Sequence, residues 1–441
     1  MKRRSLQSRP VGAGPLIILS YDAFSEDNWE EAAALPNMAR LIREGAHCTN
    51  LRSVYPTLTY AVHTTMVTGV SPGKHGIVHN NPLQPYVPEA RQDWYWYRDS
   101  IRVPTLYDAA RDAGLTVAGI LWPVTGKASI AYNLPEMKAV RRENQALKVL
   151  RNGSPLFCLD MVLRFGRVRN GHGQPELDDF STLCALDTIR RRKPGLLLLH
   201  LIELDDTKHA WGTTGPRIRE AICRMDRRIG QLLDALEQAG LRDAATIMIL
   251  GDHGQLDVHK KVRLNNLLLR AGLLGSGGDQ RSWRAYCQST GGSAYLHVQP
   301  GDIEAEELAL HILRQAAKDP ACGIEGIYGP EEVKALNGKS TARYWIECRK
   351  GYGVSEALGD PDVIDLDARG ETYATHGYSP DKEGYRCNFL IAGPAIQRGA
   401  RIPSMDMVDI APVAAKILAL KMSGMEGRIP EGMFQERMEK R

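Results

Sequence analysis

Apolar positions along the first half of the chain follow two alternating rhythms. Unbroken apolar runs occur at residues 15–21 (PLIILSY), 116–122 (TVAGILW), 196–201 (LLLLHL) and 245–250 (ATIMIL). Between them, apolar residues recur at helical spacing over 31–44, 105–113 (ended by Gly114), 176–192 and 216–239 (ended by Gly240). The runs predict strands buried on both faces, and the spaced stretches predict amphipathic helices. Strands alternating with helices imply an α/β fold: a mostly parallel central sheet with helices on both faces. A strand-like stretch at 48–54 leads to a helix expected to begin near Tyr60.

The rhythm changes between 262 and 367. A helix is predicted over 304–317 and short strands over 294–298 and 343–348, among more glycines and polar turns. This predicts a small α+β insertion. The earlier pattern returns with a strand at 388–392 (NFLIA) and a helix over 407–420. The expected organisation is therefore a main domain of 12–261 and 368–428, an insertion of 262–367, and a charged tail at 429–441 whose end frays.

Composition narrows the class. The chain has 441 residues, 43% hydrophobic and 24% charged, enough for a sizeable core. A formal net charge of +4 makes no case for a nucleic-acid polymer or a membrane as partner. No apolar stretch approaches the ~20 residues that span a bilayer. The basic start, MKRRSLQSRP, precedes an apolar run too short for an export signal. Eight cysteines are scattered without a C-x-x-C pair, which predicts buried free thiols and a cytoplasmic location.

The chemistry gathers behind the predicted strands. Asp22 follows the first, Asp205 the LLLLHLIEL run, and Asp252 the ATIMILG run. In open parallel sheets, loops beyond the carboxyl ends of strands converge. A lone Asp there is an ordinary turn former or helix cap. Asp205 with His209, Asp252 with His253, and His376 before Gly377 make a different set: three carboxylates and three imidazoles. Mixed nitrogen and oxygen donors suit zinc, or manganese or iron, better than magnesium or calcium. Six ligands exceed what one catalytic ion with an open position uses, and fit two divalent ions with three each.

A nucleophile is available in PTLTYAVHTTMVTG, residues 56–69. A hydroxyl at the strand-to-helix junction faces helix amides, a favourable place for phosphate oxygens. Thr57 and Thr59 both satisfy that requirement. Asn80, Asn81, Trp94 and Tyr97 are candidate substrate contacts: two amides before Pro82, and the ends of the aromatic run 94–97. Lys74 and Lys208 are the cations nearest these motifs in sequence.

At YDAF, PTLTYAVHTTMVTGVSPGKHGIV, ELDDTKHAWGTTGP, ILGDHG and ATHGY the chain resembles the alkaline phosphatase superfamily, in its type I phosphodiesterase/nucleotide pyrophosphatase branch. FLIAGPAIQRGARI and MVDIAPVAAKILAL resemble the branch's C-terminal portion, so the likeness runs from about residue 15 to 428. It implies an alkaline phosphatase-like catalytic domain and selects Thr59 over Thr57. It also implies a division of ligands. Asp22, Thr59, Asp252 and His253 would hold the ion beside the nucleophile, and Asp205, His209 and His376 the other. One position departs: Val62 stands where the nucleotide pyrophosphatases carry an asparagine that donates to a phosphoryl oxygen, and Asn80 or Asn81 is the candidate substitute.

The implied function is hydrolysis of a small-molecule phosphate diester or phosphoanhydride through a phosphothreonine on Thr59. The alternatives are a phosphomonoesterase or phosphonate hydrolase on the same two-metal platform, and an inactive metal-binding homologue. The last would have lost a ligand or the nucleophile, and none is missing.

Overall fold

A computed structural model describes residues 14–140, 143–275, 282–336 and 342–435. The basic start and residues 436–441 of the tail lie outside the described residues. Met433 and Phe434, inside the segment assigned to the tail, are buried in the core.

The central sheet has nine strands: β1 Leu16–Tyr21, β2 Ala46–Arg52, β3 Val117–Ile120, β4 Tyr132–Leu134, β5 Leu196–Leu201, β6 Thr246–Leu250, β7 Cys387–Ala392, β8 Ala400–Arg401 and β9 Met405–Asp406. Across the sheet they run β8-β2-β7-β6-β1-β5-β3-β4, with β9 also on β2. β1 lies parallel to β5 and β6, Leu16 opposite Leu196 and Thr246. β7 alone runs against its neighbours, antiparallel to both β6 and β2.

Alternate residues of β1 serve two cores, as the pleat requires. Ile17, Leu19 and Tyr21 pack with helices Pro36–Glu44, Glu176–Arg192 and Pro216–Gln238. Leu16 and Ile18 pack with helices Thr59–Thr68, Leu106–Asp112 and Ile410–Ile417 on the other face. Burial on both sides is why these strands lack polar alternation.

Two departures from the expected elements have local causes. The single helix expected over 31–44 is two, Trp29–Ala33 and Pro36–Glu44. Pro36 starts the second and holds Leu35 extended, at φ −79 and ψ 148. Helices Gln145–Asn152 and Pro155–Phe165 were not expected; the second is apolar on two sides and shows no single stripe.

The segment expected as an insertion, 262–367, contributes to two small sheets. Ala285–Ser289, Ser293–Val298, Tyr344–Cys348 and Ile324–Tyr328 form an antiparallel sheet with its own core, into which helix Ile303–Ala316 packs. Leu256–Val262 pairs with Gly351–Val354, Val363–Asp365 and Ala374–Thr375. That second sheet starts just after Asp252-His253 and delivers the chain back to His376.

Candidate active site

β1, β5 and β6 point the same way, so the segments leaving them meet at one edge. Asp22 leaves β1 and Asp252 leaves β6. The Ala23 N–H donates to Asp252 Oδ1 at 3.0 Å and ties the two turns together. Gly251 permits the approach: a Cβ there would stand 2.0 Å from the Phe24 carbonyl oxygen.

Beyond β5 the chain enters helix Glu203–Trp211. Asp205 and His209, four residues apart, share one face, and His209 Nε2 lies 3.3 Å from Asp205 Oδ2. His376 comes from the insertion's edge. Gly377 (φ +87) turns there so tightly that a Cβ would meet the Thr290 carbonyl oxygen at 1.8 Å. The His376 ring stacks on His253, centroids 4.0 Å apart.

Thr59 opens helix Thr59–Thr68, and its Oγ1 is 3.3 Å from His253 Nε2. The same nitrogen is 3.2 Å from Asp22 Oδ1 and 3.3 Å from Asp252 Oδ2. Thr57 is engaged elsewhere: its hydroxyl donates to the Tyr378 carbonyl at 2.8 Å and accepts the Gly377 N–H at 3.0 Å. The Asp22, Asp252 and His253 side chains are almost wholly buried, whereas His209 keeps 28% of its side-chain surface. The site therefore opens on the Asp205–His209–His376 side.

The donor set fits divalent cations on three counts. His209 Nδ1 faces the Ala374 carbonyl at 2.7 Å, His376 Nδ1 the Thr57 carbonyl at 3.1 Å, and His253 Nδ1 the Gly254 carbonyl at 3.3 Å. With Nδ1 as N–H donor, each ring presents the Nε2 lone pair to the site. Second, Asp22 Oδ1 and Asp252 Oδ2 are buried oxygens that accept no hydrogen bond among the described residues. Third, two of the three carboxylates are held above their ordinary range, while His209, His376 and His253, opposing burial, lower Asp205. Burial, then Asp252 and Asp205, hold the Asp22 carboxyl well above its ordinary range, and burial pushes Asp252 up to about 6. Opposing burial, the Asp205 carboxylate lifts His209 to about 9. A cation would relieve the crowding.

Two sets of ligand atoms lie within 4.8 Å of one another: Asp205, His209 and His376, and Asp22, Asp205 and His253. Asp205 is thus within reach of both, which the ligand division implied by the motifs did not include.

A family model for type I phosphodiesterase/nucleotide pyrophosphatase matches residues 16–379. The chain belongs to this family. Among curated members, venom phosphodiesterase 2 of Crotalus adamanteus is 26% identical over 260 residues, covering 55% of this chain and 27% of that protein. Venom phosphodiesterase of Naja atra is 26% identical over 428 residues, 94% of this chain and 45% of that one. The chain therefore spans less than half the length of these relatives. Among solved structures, murine ectonucleotide pyrophosphatase/phosphodiesterase 5, an inactive form in complex with AMP, superposes with a TM-score of 0.67. It is 17% identical, and the match covers 94% of this chain and 97% of that one. That likeness carries the fold, an alkaline phosphatase-like α/β architecture.

The remaining motif residues sort by position. Val62 is buried in the core layer beside Met66 and Val67, so its side chain does not reach the site. Asn80 stands at the start of the Thr59 helix, where its Oδ1 accepts the Tyr60 N–H at 2.9 Å. That bond orients the amide and leaves the Nδ2 hydrogens as donors. Asn81 instead donates to the Asp93 carbonyl at 3.0 Å, closing the loop. Trp94 stacks on Trp96 (5.6 Å) and meets Tyr60 edge-on at 5.1 Å, while Tyr97 faces Lys127 Nζ at 5.0 Å. Neither lysine serves as a free phosphate cation. Lys74 pairs with Glu426 at 2.6 Å. Lys208 is fully buried, donating to the Ala23 carbonyl at 2.9 Å and Asn28 Oδ1 at 2.8 Å, where it clamps the Asp22 turn to the Asp205 helix.

Side chains behind the acids went unread, His200 and Glu136 among them. His200, inside β5, places Nε2 3.2 Å from Asp22 Oδ2 and Nδ1 3.5 Å from Glu136 Oε2. It braces the Asp22 carboxylate from behind. Its only signal was one polar residue in an apolar run, and Glu136 carried none.

Proposed function

We propose that this chain is a metal-dependent hydrolase that cleaves phosphate diesters or phosphoanhydrides, with Thr59 as nucleophile and a nucleotide-like substrate. The observation that carries the reading is the meeting of Thr59 Oγ1, Asp22 Oδ1 and Asp252 Oδ2 around His253 Nε2, within 3.2–3.3 Å of that nitrogen. The AMP in the murine structural relative supports the nucleotide class.

Asp22, Thr59, Asp252 and His253 would hold one divalent ion and Asp205, His209 and His376 the other, zinc being favoured by the donor set. When bound, the ions supply Lewis acidity that lowers the threonine pKa and neutralises charge on phosphoryl oxygens. The chain's own residues do the rest. Thr59 sits at the N-terminus of its ten-residue helix, so phosphoryl oxygens meet the positive end of the helix dipole. Thr59 Oγ bonds to phosphorus as the bond to the leaving oxygen breaks, giving a phosphothreonine that water then hydrolyses. The Asn80 amide supplies a donor to a phosphoryl oxygen, the role assigned by resemblance to position 62. The site's open side, by His209, is the route for substrate.

The test is turnover of bis-p-nitrophenyl phosphate and of a nucleotide diester by the zinc-loaded protein. Thr59→Ala is expected to lower kcat by a factor of about 10⁴ with melting unchanged. Undiminished turnover in that variant would remove Thr59 from the mechanism. Faster hydrolysis of the monoester than of the diester would favour a phosphomonoesterase. The engagement of Lys74 and Lys208 elsewhere speaks against that outcome.

A further inference from the structure

Helix Pro155–Phe165 is apolar on two sides. Phe157, Cys158 and Met161 pack inward against the sheet. On the outer side Leu156 is 84% exposed and Leu163 75%, with Leu159 and Val162 also exposed. Eleven large apolar side chains are exposed among the described residues, and five of them fall between 156 and 168, Val168 being the fifth. Single exposed apolar residues need no explanation, but such a concentration on one short segment marks a contact surface.

The charge around it is one-sided. From 151 to 169 the chain carries four arginines (Arg151, Arg164, Arg167, Arg169) against one carboxylate, Asp160. Asp160 is already overmatched: Arg164 reaches it at 2.7 Å, Arg192 at 2.6 Å and Arg191 at 3.5 Å. Arg151 and Arg167 are exposed and pair with no carboxylate among the described residues. A chain with a net charge of only +4 thus concentrates cations at the rim of its most apolar surface.

We propose that this face docks on an anionic lipid surface, the leucines entering the headgroup boundary and the arginines meeting lipid phosphates. Exposed Leu beside Arg is the composition of helices that lie in a membrane interface, and each cation near an anionic leaflet adds to the attraction. No described helix is long and apolar enough to cross a membrane, and the proposed contact is a peripheral one. A second copy of the chain is the poorer occupant. A two-fold pairing sets the same arginine rims against each other. A single helix of 11 residues also supplies a small part of the ~800 Å² that each partner buries in a stable interface.

The measurement is co-sedimentation of the full chain with vesicles of phosphatidylcholine alone or mixed with phosphatidylglycerol. Partitioning is expected to be about tenfold stronger onto the anionic vesicles and to weaken with salt. The double variant Leu156→Ser/Leu163→Ser is expected to lose about tenfold of that binding. Its melting temperature and its turnover of soluble bis-p-nitrophenyl phosphate should match the parent's. Three results would overturn the proposal: equal binding to both vesicle types, binding that survives the double variant, or a dimer by light scattering that the variant dissolves. The vesicle readout does not depend on catalysis, so it stands or falls apart from the proposed activity.

Discussion

β5 runs into two groups of buried charge built in opposite ways. On one side Arg228 bridges Glu203, Asp179 and Asp178. It donates to Asp179 Oδ1 at 2.8 Å and to Glu203 Oε2, while Asp178 accepts the N–H groups of Ile202 (2.9 Å) and Glu203 (3.0 Å). On the other side stand Asp22, Asp205 and Asp252, with buried oxygens of Asp22 and Asp252 accepting no hydrogen bond among the described residues. The first group carries its own guanidinium. The second has imidazoles, which are donors of lone pairs as readily as of protons. Compensation from within marks scaffold, and here it pins the start of the helix that presents Asp205. Charge matched only by imidazoles, whose site-facing protons an ion can replace, marks the place for one from solution.

The contrast can be broken most severely at Arg228. Arg228→Met leaves Asp178 buried without its cation and Glu203 with Arg224 alone, and should cost about 3–5 kcal/mol by denaturant unfolding. A loss below about 1 kcal/mol would mean the closed group is not scaffold. Comparable is the effect of metal. Saturating zinc, at about 1,000 times its Kd, should add roughly 4 kcal/mol to the stability of the metal-free protein. Asp205→Asn should shrink that gain, and an identical gain in the variant would place the binding elsewhere.

The smallest effect has the opposite sign from ordinary core damage. The Asp252 carboxyl, raised by burial to about 6, binds a proton more tightly folded than unfolded. Its contribution to stability is therefore full below the unfolded value near 4 and is lost as pH rises through about 6. Over that window the metal-free parent should lose stability relative to Asp252→Asn, which lacks this titration. Parallel slopes for the parent and the variant between pH 4 and 7 would contradict the open character of the group.

Much of this arrangement was legible because the sheet is parallel. Asp22, Asp205 and Asp252 each follow an apolar run, and parallel strands bring their ends to one edge whatever their separation in sequence. His209 and His253 were readable from their spacing to those acids. The pattern could not show that Thr57 is committed to Tyr378 and Gly377, because both contacts come from more than three hundred residues away. Val62 looked like a missing donor because a linear motif does not say which face of a helix meets the core. Nor could nearness in sequence show that Lys208 is committed: its partners, Ala23 and Asn28, lie on another loop. His200 was hidden by its surroundings, since a run read for hydrophobicity averages away its one imidazole. The outward leucines of Pro155–Phe165 escaped because a helix apolar on two sides presents no period to detect.

The reversed strand β7 sets an order of assembly. β2 leads to Thr59, while β1, β5 and β6 lead to the acids. Between the two groups lies β7, hydrogen-bonded to β2 on one side and to β6 on the other. A chain emerging from its N-terminus can therefore lay β6 beside β1 long before β2 has a place to dock. Thr59 and the acids come into register only when residues 387–392 arrive to fill the gap. Closure of that distant pairing is the slow topological step to expect in refolding, and with it the candidate site becomes complete at a single late moment.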